Sequence, residues 1–379
     1  MTVPSPVLPS YGGANLAGVI PGLVAPAGGR PAWFPEPMRE SSQVVILVVD
    51  GLGWLQLQDR RHLTPNLVSM TGGPITSVVP STTATALTSL TVGAPPAVHG
   101  IVGYRLVVPG PTGPEVLNVL RWKTSASGDA RPFVDPRVFQ PLVPFCGRNV
   151  PVVSKSEFAG TAFTDAHQRD TPVAGWAQAS SLAVEVRRLL AAGEPLIYAY
   201  YEGVDKIAHL RGLGEYYDAE LVAVDRLVGD LLEVLPAGAV LALTADHGQV
   251  DIGARAVVVD PLVLREAAML SGEGRFRWLH AQPGGAASVD RLEAVARQVY
   301  GHQAWVATTD QMERESWFGG PLTPEIRSRL GDVALVPFEP VAYLDPADGA
   351  EAMLMCRHGS LTPDEMLVPL VARYGRLGH

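Results

Sequence analysis

The amino-acid sequence predicts an α/β protein with three layers, in which helices cover both faces of a mostly parallel central sheet. Apolar runs such as Val44–Val49 contain no polar residues, so both faces of each strand must be covered, as in a parallel sheet. Segments with helical periodicity lie between these runs, and such alternation is typical of α/β folds. We therefore expect an α/β/α domain.

The predicted strands are apolar runs that are followed closely by Asp or His. Three runs are long and one is short: QVVILVVDGLGW, EPLIYAYYEGVDKIAHL, GAVLALTADHGQ and EAMLMCRHGS. Two of the segments between them are predicted helices. The segment SSLAVEVRRLLAAG ends at Gly193, and YYDAELVAVDRLVGDLLEVL carries an apolar stripe that includes Leu221, Val224 and Leu227.

Two regions interrupt this alternation. Residues near 104–148 are rich in Pro and Gly, and residues near 255–345 contain an amphipathic helix, VDRLEAVARQVY, between possible strands. We expect both to be insertions at the carboxyl edge of the sheet, within a single domain that spans 1–379. Residues 1–43 are expected to form an ordered N-terminal tail over that domain.

Composition argues against several functional classes. Of the 379 residues, 47% are hydrophobic and 18% are charged, which allows a sizeable core and argues against disorder. The net charge of −9 and the lack of any Lys/Arg cluster argue against nucleic acid as the main partner.

The compartment is predicted from the cysteines and the N-terminus. Cys146 and Cys356 have no CxxC neighbours, which is typical of a reducing compartment rather than of a disulfide framework or a thiolate zinc site. The N-terminus lacks a basic region, and Pro and Gly interrupt its apolar residues. We therefore expect no signal peptide, no membrane helix and a cytoplasmic location.

The residues that follow the four runs form a candidate metal site. Ligands of open α/β sheets bind outside the carboxyl ends of the strands, where these side chains should meet. Three carboxylates and three imidazoles suit zinc, with manganese as an alternative. Six ligands are too many for one tetrahedral ion and suit two ions about 4 Å apart. The six residues are Asp50, Asp205, His209, Asp246, His247 and His358.

Each of these residues also has an ordinary structural explanation. Asp50 precedes a glycine and could make a turn, and Asp205 and His209 could be a surface pair on one helix face. Asp246 could cap a helix, and His358 could be a hydrogen-bonded loop histidine. These explanations would have to coincide at four strand ends, always with metal-compatible residue types, so we favour the metal site.

A cluster of hydroxyls in VVPSTTATALTSL allows two interpretations. The chain is predicted to be extended to Val79, to bend at a proline, and to form a helix that ends near Gly93. Ser81, Thr82 or Thr83 could be an ordinary N-cap. A helix N-terminus also suits a phosphate group, and a hydroxyl beside a divalent cation can act as a nucleophile. The sequence contains neither a GxSxG motif nor a Ser-His-Asp order that could activate a hydroxyl for attack. A divalent metal ion is therefore the favoured activator.

Five motifs together resemble those of a known family. They are VVDGLG, PSTTATALTSLTVGAPPAVHGIVGY, VDKIAHLRG, TADHG and CRHGSL, and they follow the family's order over about residues 44–361. The chain resembles the alkaline phosphatase superfamily, specifically its type I phosphodiesterase/nucleotide pyrophosphatase branch. The resemblance implies an alkaline-phosphatase-like fold and metal-dependent hydrolysis of phosphodiester or nucleotide pyrophosphate bonds.

The resemblance also implies roles for individual residues. Thr83 aligns with the nucleophile and would form a phospho-threonine intermediate, with Thr82 as the alternative if the alignment slips by one residue. Ser81 and Thr82 would then shape the bend and cap the helix. One zinc ion would be held by Asp50, Thr83, Asp246 and His247, and the other by Asp205, His209 and His358.

One position departs from the family pattern. After HGIVG, many family diesterases carry an Asn that hydrogen-bonds a phosphate oxygen, whereas this chain has Tyr104 followed by Arg105. Both are candidate substrate-binding residues, although Tyr104 could instead close the first insertion onto the core. His99 is interpreted as structural and Lys123 as a solvated lysine.

The predicted substrate is a small-molecule phosphoester or a nucleotide. A diester needs an apolar or aromatic wall for its second alcohol group, and a monoester needs an extra cation, for which Arg105 is the candidate beside the motif. The alternatives are a phosphomonoesterase or phosphonate hydrolase of the same superfamily and, from another class, a catalytically silent metal-binding protein. The C/S-x-P-x-R sulfatase signature is missing.

Overall fold

The computed structural model describes residues 3–26, 28–346 and 353–376. In this part of the chain, a seven-stranded central sheet has the order β2-β19-β10-β1-β9-β7-β8. Its strands, numbered in chain order, are β1 (Val44–Val49), β2 (Thr71–Thr76), β7 (Val152–Lys155), β8 (Val173–Trp176), β9 (Leu196–Tyr201), β10 (Val240–Thr244) and β19 (Leu367–Tyr374). Positions 1, 2 and 27 of the predicted tail lie outside the described residues.

The central strands of this sheet are parallel. Strand β1 is buried along its whole length and pairs in parallel with β10 on one side and β9 on the other. Strand β19 runs antiparallel to both of its neighbours, β10 and β2. The predicted α/β/α class is confirmed, and the sheet is mixed because of this one strand.

The register of the central strands aligns their carboxyl ends. Val44 lies opposite both Val240 and Leu196, so β1, β10 and β9 begin and end at similar levels. The segments that follow these three strands therefore emerge side by side at one edge of the sheet. This edge carries most of the candidate site.

The helices connect the strands and pack against the sheet and each other. The two helices predicted between the apolar runs are present as α9 (Ala179–Ala191) and α11 (Glu215–Val234), and the amphipathic segment of the second insertion is α13 (Ala286–Tyr300). The helices are α1 (Val19–Val24), α2 (Glu36–Glu40), α3 (Trp54–Asp59), α4 (Pro65–Val68), α5 (Thr83–Val92), α6 (Pro96–His99), α7 (Pro136–Phe139), α8 (Ala162–His167), α9 (Ala179–Ala191), α10 (Gly203–Arg211), α11 (Glu215–Val234), α12 (Pro261–Glu266), α13 (Ala286–Tyr300), α14 (Thr309–Arg314), α15 (Pro324–Arg327) and α16 (Pro363–Met366). None of those in the described part of the chain combines the length and the apolar character that a membrane crossing requires.

Two smaller four-stranded sheets lie outside the central sheet. The first contains β3 (Arg105–Gly110), β4 (Gly113–Asn118), β5 (Lys123–Thr124) and β6 (Gly128–Asp129). The second contains β13 (Ala267–Glu273), β14 (Phe276–Ala281), β15 (Ala304–Thr308) and β16 (Val333–Pro337). The second sheet packs with α12 and α13 around its own apolar cluster, which includes Leu279 and Leu292.

The N-terminal segment packs into the main core. Leu16, Val19 and Ile20 are fully buried there. The side-chain amide of Asn15 donates hydrogen bonds to the backbone carbonyls of Thr76 and Ser77, which ties this segment to the end of β2.

The prediction that the fourth apolar run, EAMLMCRHGS, forms a strand of the central sheet is wrong. Only Cys356–Arg357 (β18) is extended, and it pairs with Val250–Asp251 (β11) in a separate two-stranded ladder. The run before it cannot be a buried strand because Met353 is 82% exposed. Positions 351 and 352 of that run lie outside the described residues. A last short ladder joins β12 (Ala256–Val258) and β17 (Ala342–Leu344).

Candidate active site

The six side chains singled out in the sequence lie together in the structure. They form two groups, and within each group one potential ligand atom per residue lies within 4.8 Å of the others. The first ligand group consists of Asp50, Asp246 and His247, and the second ligand group of Asp205, His209 and His358.

The first ligand group comes from two neighbouring strands. Asp50 directly follows β1, and Asp246 and His247 follow β10, its parallel neighbour. Gly51 has a positive φ of 74°, a conformation that glycine adopts at little cost, and it turns the chain away immediately after Asp50. The Nε2 atom of His247 lies 3.5 Å from Asp50 Oδ1 and 3.3 Å from Asp246 Oδ2.

The second ligand group combines a helix with a returning loop. Asp205 and His209 are one turn apart on α10, and His209 Nε2 lies 3.2 Å from Asp205 Oδ1. His358 follows β18, and its Nε2 lies 3.8 Å from the same oxygen. The rings of His247 and His358 stack with their centroids 3.5 Å apart, so the two groups are adjacent.

The carboxylates of the first ligand group each keep one unpartnered oxygen. Asp50 Oδ2 accepts a hydrogen bond from the Tyr200 hydroxyl, and Asp246 Oδ1 accepts from the backbone N–H groups of Gly51 and His247, both at 3.0 Å. Asp50 Oδ1 and Asp246 Oδ2 are buried without a hydrogen-bond donor. Because buried charged oxygens are costly unless they are compensated, this pair fits a bound cation.

The histidines are oriented as metal ligands usually are. Each Nδ1 faces a backbone carbonyl: Cys356 O for His209, at 2.7 Å, and Ser81 O for His358, at 3.1 Å. His247 Nδ1 likewise faces the carbonyl of Gly248 at 3.0 Å. An Nδ1–H that donates to a carbonyl leaves the lone pair on Nε2, the atom that faces the carboxylates in all three residues.

The electrostatics of the site favour a bound cation. Burial, together with the carboxylates of Asp246 and Asp205, raises the pKa of Asp50 well above its ordinary value. Burial also raises the pKa of Asp246. Burial and the neighbouring His247 and His209 lower the pKa of His358 well below its ordinary value, which keeps this imidazole neutral and able to bind a metal.

The hydroxyl cluster is divided by the start of α5. Thr83 is the first residue of the helix, and its Oγ1 lies 3.1 Å from His247 Nε2 in the first ligand group. The Thr82 hydroxyl instead donates to Glu273 Oε2 at 3.2 Å, and the Ser81 hydroxyl donates to the carbonyl of Ser360 at 2.7 Å.

The predicted capping role of Ser81 and Thr82 is therefore wrong. Thr82 occupies the N-cap position of α5, but no side chain makes a capping hydrogen bond there. Both hydroxyls are satisfied by partners from distant segments instead, and this arrangement leaves the N-terminus of α5 accessible to a ligand.

Two cavities open onto Thr83. The first, which we call the apolar cavity, has a volume of about 240 Å³ and also touches Asp50 and Asp205; its walls include Leu87, Phe158, Phe163 and Tyr200. The second, which we call the charged cavity, has a volume of about 280 Å³ and also touches His209 and His358; its walls include Tyr104, Arg121, Glu273 and Arg357. Thr83 therefore lies at the boundary between two cavities with different linings.

The two predicted substrate-binding residues occupy different places. Tyr104 lines the charged cavity, and its hydroxyl oxygen accepts a hydrogen bond from Asn118 Nδ2 at 2.6 Å. Arg105 lines a separate cavity between the first small sheet and β13, together with Lys123 and Asp345. Its guanidinium carbon lies 6.0 Å from the ring centroid of Tyr104.

Several residues at the site were not predicted from the sequence. Arg357 directly precedes His358 in CRHGSL, so its position beside the motif was a usable signal. Arg121 lies in the loop between β4 and β5 and Glu273 ends β13, and nothing in the local sequence indicates that they reach the site. His99 is buried away from the cavities between Ser89 Oγ and the N–H of Ile101, in agreement with its structural interpretation.

Comparisons with known proteins indicate the family to which this chain belongs. A family model for type I phosphodiesterases/nucleotide pyrophosphatases matches residues 44–360. The structure of murine ectonucleotide pyrophosphatase/phosphodiesterase 5 is similar, with a TM-score of 0.64, 16% identity and 87% of each chain covered. An inactive form of that murine protein has been solved in complex with AMP.

A second similar structure comes from a different enzyme. Phosphonoacetate hydrolase from Sinorhizobium meliloti 1021, in complex with phosphonoacetate, has a TM-score of 0.62 at 19% identity, with 88% of this chain and 90% of that chain covered. A search of curated proteins found no significant match. The structural similarities establish the fold, and the family match spans most of the chain. The chain therefore belongs to the type I phosphodiesterase/nucleotide pyrophosphatase family and is a phosphoric ester hydrolase.

Proposed function

We propose that this protein hydrolyses phosphodiester or nucleotide pyrophosphate bonds with two divalent metal ions, preferably zinc, and with Thr83 as the nucleophile. The observation that carries the proposal is the position of Thr83 Oγ1, 3.1 Å from His247 Nε2 and open to both cavities. A hydroxyl at that point has access to a substrate and is next to the candidate metal ligands.

The donor set fits two metal ions. The first ligand group, with Thr83, would hold one ion, and the second ligand group would hold the other. The donors would be the unpartnered oxygens of Asp50 and Asp246, the carboxylate of Asp205 and the Nε2 atoms of the three histidines. Divalent ions bound there would lower the pKa of a hydroxyl and neutralise negative charge that develops on phosphate oxygens.

Thr83 supplies the covalent chemistry in this proposal. Attack by its Oγ1 forms a phosphorus–oxygen bond and breaks the bond between phosphorus and the leaving oxygen. The leaving oxygen takes up a proton in place of the one that the Thr83 hydroxyl loses. A water molecule then attacks the phosphorus of the Thr83 adduct, which still carries the second substituent, and this step releases a phosphomonoester and restores the Thr83 hydroxyl. The N-terminus of α5 directs backbone N–H groups and the positive end of the helix dipole towards the transferred phosphoryl group.

The substrate would be a small molecule with two substituents on phosphorus. The aromatic walls of the apolar cavity, which include Phe158, Phe163 and Tyr200, suit a flat organic group such as a nucleobase. AMP binding by the inactive form of the murine relative supports a nucleotide. The charged cavity would receive the other substituent, and Tyr104 forms part of its wall.

Phosphonate hydrolysis is the second candidate function. Arg121 and Arg357 both line the charged cavity, and a guanidinium group is well suited to a carboxylate. A phosphonate that carries a carboxylate would place its anionic substituent there. The similarity to phosphonoacetate hydrolase supports this candidate at the level of the fold.

A substrate panel with metal analysis tests the proposal. The purified protein is assayed with bis-nitrophenyl phosphate, nitrophenyl phosphate, a dinucleotide and phosphonoacetate, and its metal content is measured in parallel. We expect about two zinc ions per chain and the highest kcat/KM with a diester or dinucleotide. Faster turnover of phosphonoacetate would favour the second candidate, whereas metal-free protein with full activity would contradict both.

A further inference from the structure

The candidate ligands are held in place in two different ways. Backbone groups orient four of them: two N–H groups bind Asp246, and a carbonyl faces the Nδ1 of each histidine. Side chains orient the other two. Asp50 accepts a hydrogen bond from Tyr200, and Asp205 accepts one from Gln249. Each ligand group therefore contains one carboxylate whose hydrogen-bond donor is a side chain and can be removed by substitution.

Tyr200 orients the carboxylate of the first ligand group. It lies on β9 opposite Val48, two residues before Asp50 on the neighbouring strand, and it is almost completely buried. Its hydroxyl donates to Asp50 Oδ2. Since a phenol has one proton to donate, this bond selects one carboxylate oxygen and leaves Oδ1 as the atom that faces His247.

Gln249 orients the carboxylate of the second ligand group. Its side chain is 1% exposed, and its Nε2 donates to Asp205 Oδ1 at 2.5 Å. Its backbone carbonyl accepts a hydrogen bond from Gln56 Nε2 at 2.7 Å, which fixes the residue from the other side. A Cβ atom at Gly51 would lie only 2.8 Å from Gln249 Nε2, so the amide is confined between the Asp50–Gly51 turn and α10.

The position of Gln249 in the chain makes this contact informative. It follows the loop that carries Asp246 and His247 of the first ligand group, yet its side chain binds a member of the second ligand group. The oxygen that it binds, Asp205 Oδ1, is also the one that faces His209 Nε2 and His358 Nε2. An amide that donates to this oxygen fixes its orientation and occupies one of its lone pairs, which leaves the other for a cation.

We propose that Tyr200 and Gln249 are positioning residues, one for each ligand group, which set the metal affinities of the two groups separately. This inference rests on the proposed function, because it requires that both groups bind metal. Outer partners of metal ligands change affinity by about 10- to 100-fold when they are removed. We therefore expect the loss of either donor to weaken one site by that factor and to leave the other unchanged.

The experiment measures zinc affinity in the full-length protein. Metal-free wild type, Gln249→Met and Tyr200→Phe are titrated with zinc in competition with a chromophoric chelator. Each variant keeps nearly the same side-chain volume and lacks the donor, so each serves as the matched control for the other. We expect two binding steps in the wild type and, in each variant, one dissociation constant raised about 10- to 100-fold.

A second background assigns the affected site. In His209→Ala the second ligand group is incomplete, so the remaining zinc step reports the first ligand group. Gln249→Met should leave that step within about twofold, whereas Tyr200→Phe should weaken it by about 10- to 100-fold. Equal weakening by both substitutions in this background would overturn the assignment to separate groups.

Two further measurements exclude a simple loss of folding. Thermal unfolding of the metal-free variants should remain one cooperative transition, lowered by no more than the loss of one hydrogen bond. A merely structural role would lower this stability in the same way but would leave the zinc affinity of the folded protein unchanged. Gln249→Leu also lacks the donor and adds no charge, so it replaces Gln249→Met if the latter does not fold, with the same expected result. Wild-type affinity in both variants refutes the inference alone, whereas fewer than two zinc sites in the wild type refutes the proposed function as well.

Discussion

Replacement of Thr83 tests the centre of the proposed mechanism. Its Oγ1 is the only candidate nucleophile of the cluster that faces the first ligand group, because Ser81 and Thr82 direct their hydroxyls to Ser360 and Glu273. Thr83→Ala removes the attacking oxygen, so we expect kcat/KM for a diester to fall by at least about three orders of magnitude. That loss corresponds to roughly 4 kcal/mol of transition-state stabilisation.

The same substitution should have a small effect on stability. No side chain makes a capping hydrogen bond at the start of α5, and the Thr83 hydroxyl makes one hydrogen bond, to His247 Nε2. Loss of one hydrogen bond costs about 0.5–1.5 kcal/mol, far less than the expected loss in turnover. Thr83→Ser keeps an oxygen in place and should retain partial activity.

Steady-state kinetics and mass spectrometry together provide the assay. A rapidly quenched reaction of the wild type with a diester should contain protein that carries the phosphoryl group and its retained substituent on the peptide with Thr83, and Thr83→Ala should contain no such adduct. Thr82→Ala is the matched control: it loses the hydrogen bond to Glu273, which should cost about 0.5–1.5 kcal/mol of stability, and it should stay within about tenfold of wild-type activity. Inactive Thr82→Ala beside active Thr83→Ala would refute the assignment and shift the nucleophile by one residue.

Three further predictions concern metal, substrate and pH. Chelation should abolish activity and added zinc should restore it, because Asp50 and Asp246 keep unpartnered buried oxygens; activity that is indifferent to chelators would contradict this. The kcat/KM for diesters should exceed that for the matching monoesters by at least about tenfold, or roughly 1.4 kcal/mol, and Tyr104→Ala should reduce diester turnover more than monoester turnover. If the wild type instead prefers monoesters and Arg121→Ala removes that preference, Arg121 binds the phosphate and the diester prediction is wrong. Burial, with the positive Arg329 nearby, lowers the pKa of His99 from 6.5 to about 3, so the folded state favours the neutral ring and loses stability as the pH falls below about 6.5. The loss should reach about 1.4 kcal/mol at pH 5.5, and urea unfolding at pH 7 and 5.5 should show a smaller difference between the two pH values in His99→Gln than in the wild type.

The sequence alone determined the features that depend on local patterns. Uninterrupted apolar runs identified the buried strands β1, β9 and β10, because a strand covered on both faces has no polar positions. Helical periodicity identified α9, α11 and α13 for a similar local reason. The residues after the parallel strands were expected to converge because strand direction fixes the edge at which they emerge, and the six candidate ligands do lie together.

Only the tertiary structure decided the features that depend on contacts between distant segments. Strand β19 lies next to β10 in the central sheet. His358 reaches the site from a loop after the two-residue strand β18, although the apolar run that precedes His358 predicted a strand of the central sheet. The hydroxyls of Ser81, Thr82 and Thr83 are adjacent in the sequence, and their three different partners come from segments more than 150 residues away. The donors on Asp50 and Asp205 likewise come from other strands and loops. Periodicity carries no information about such pairings, because each is set by how the whole chain packs.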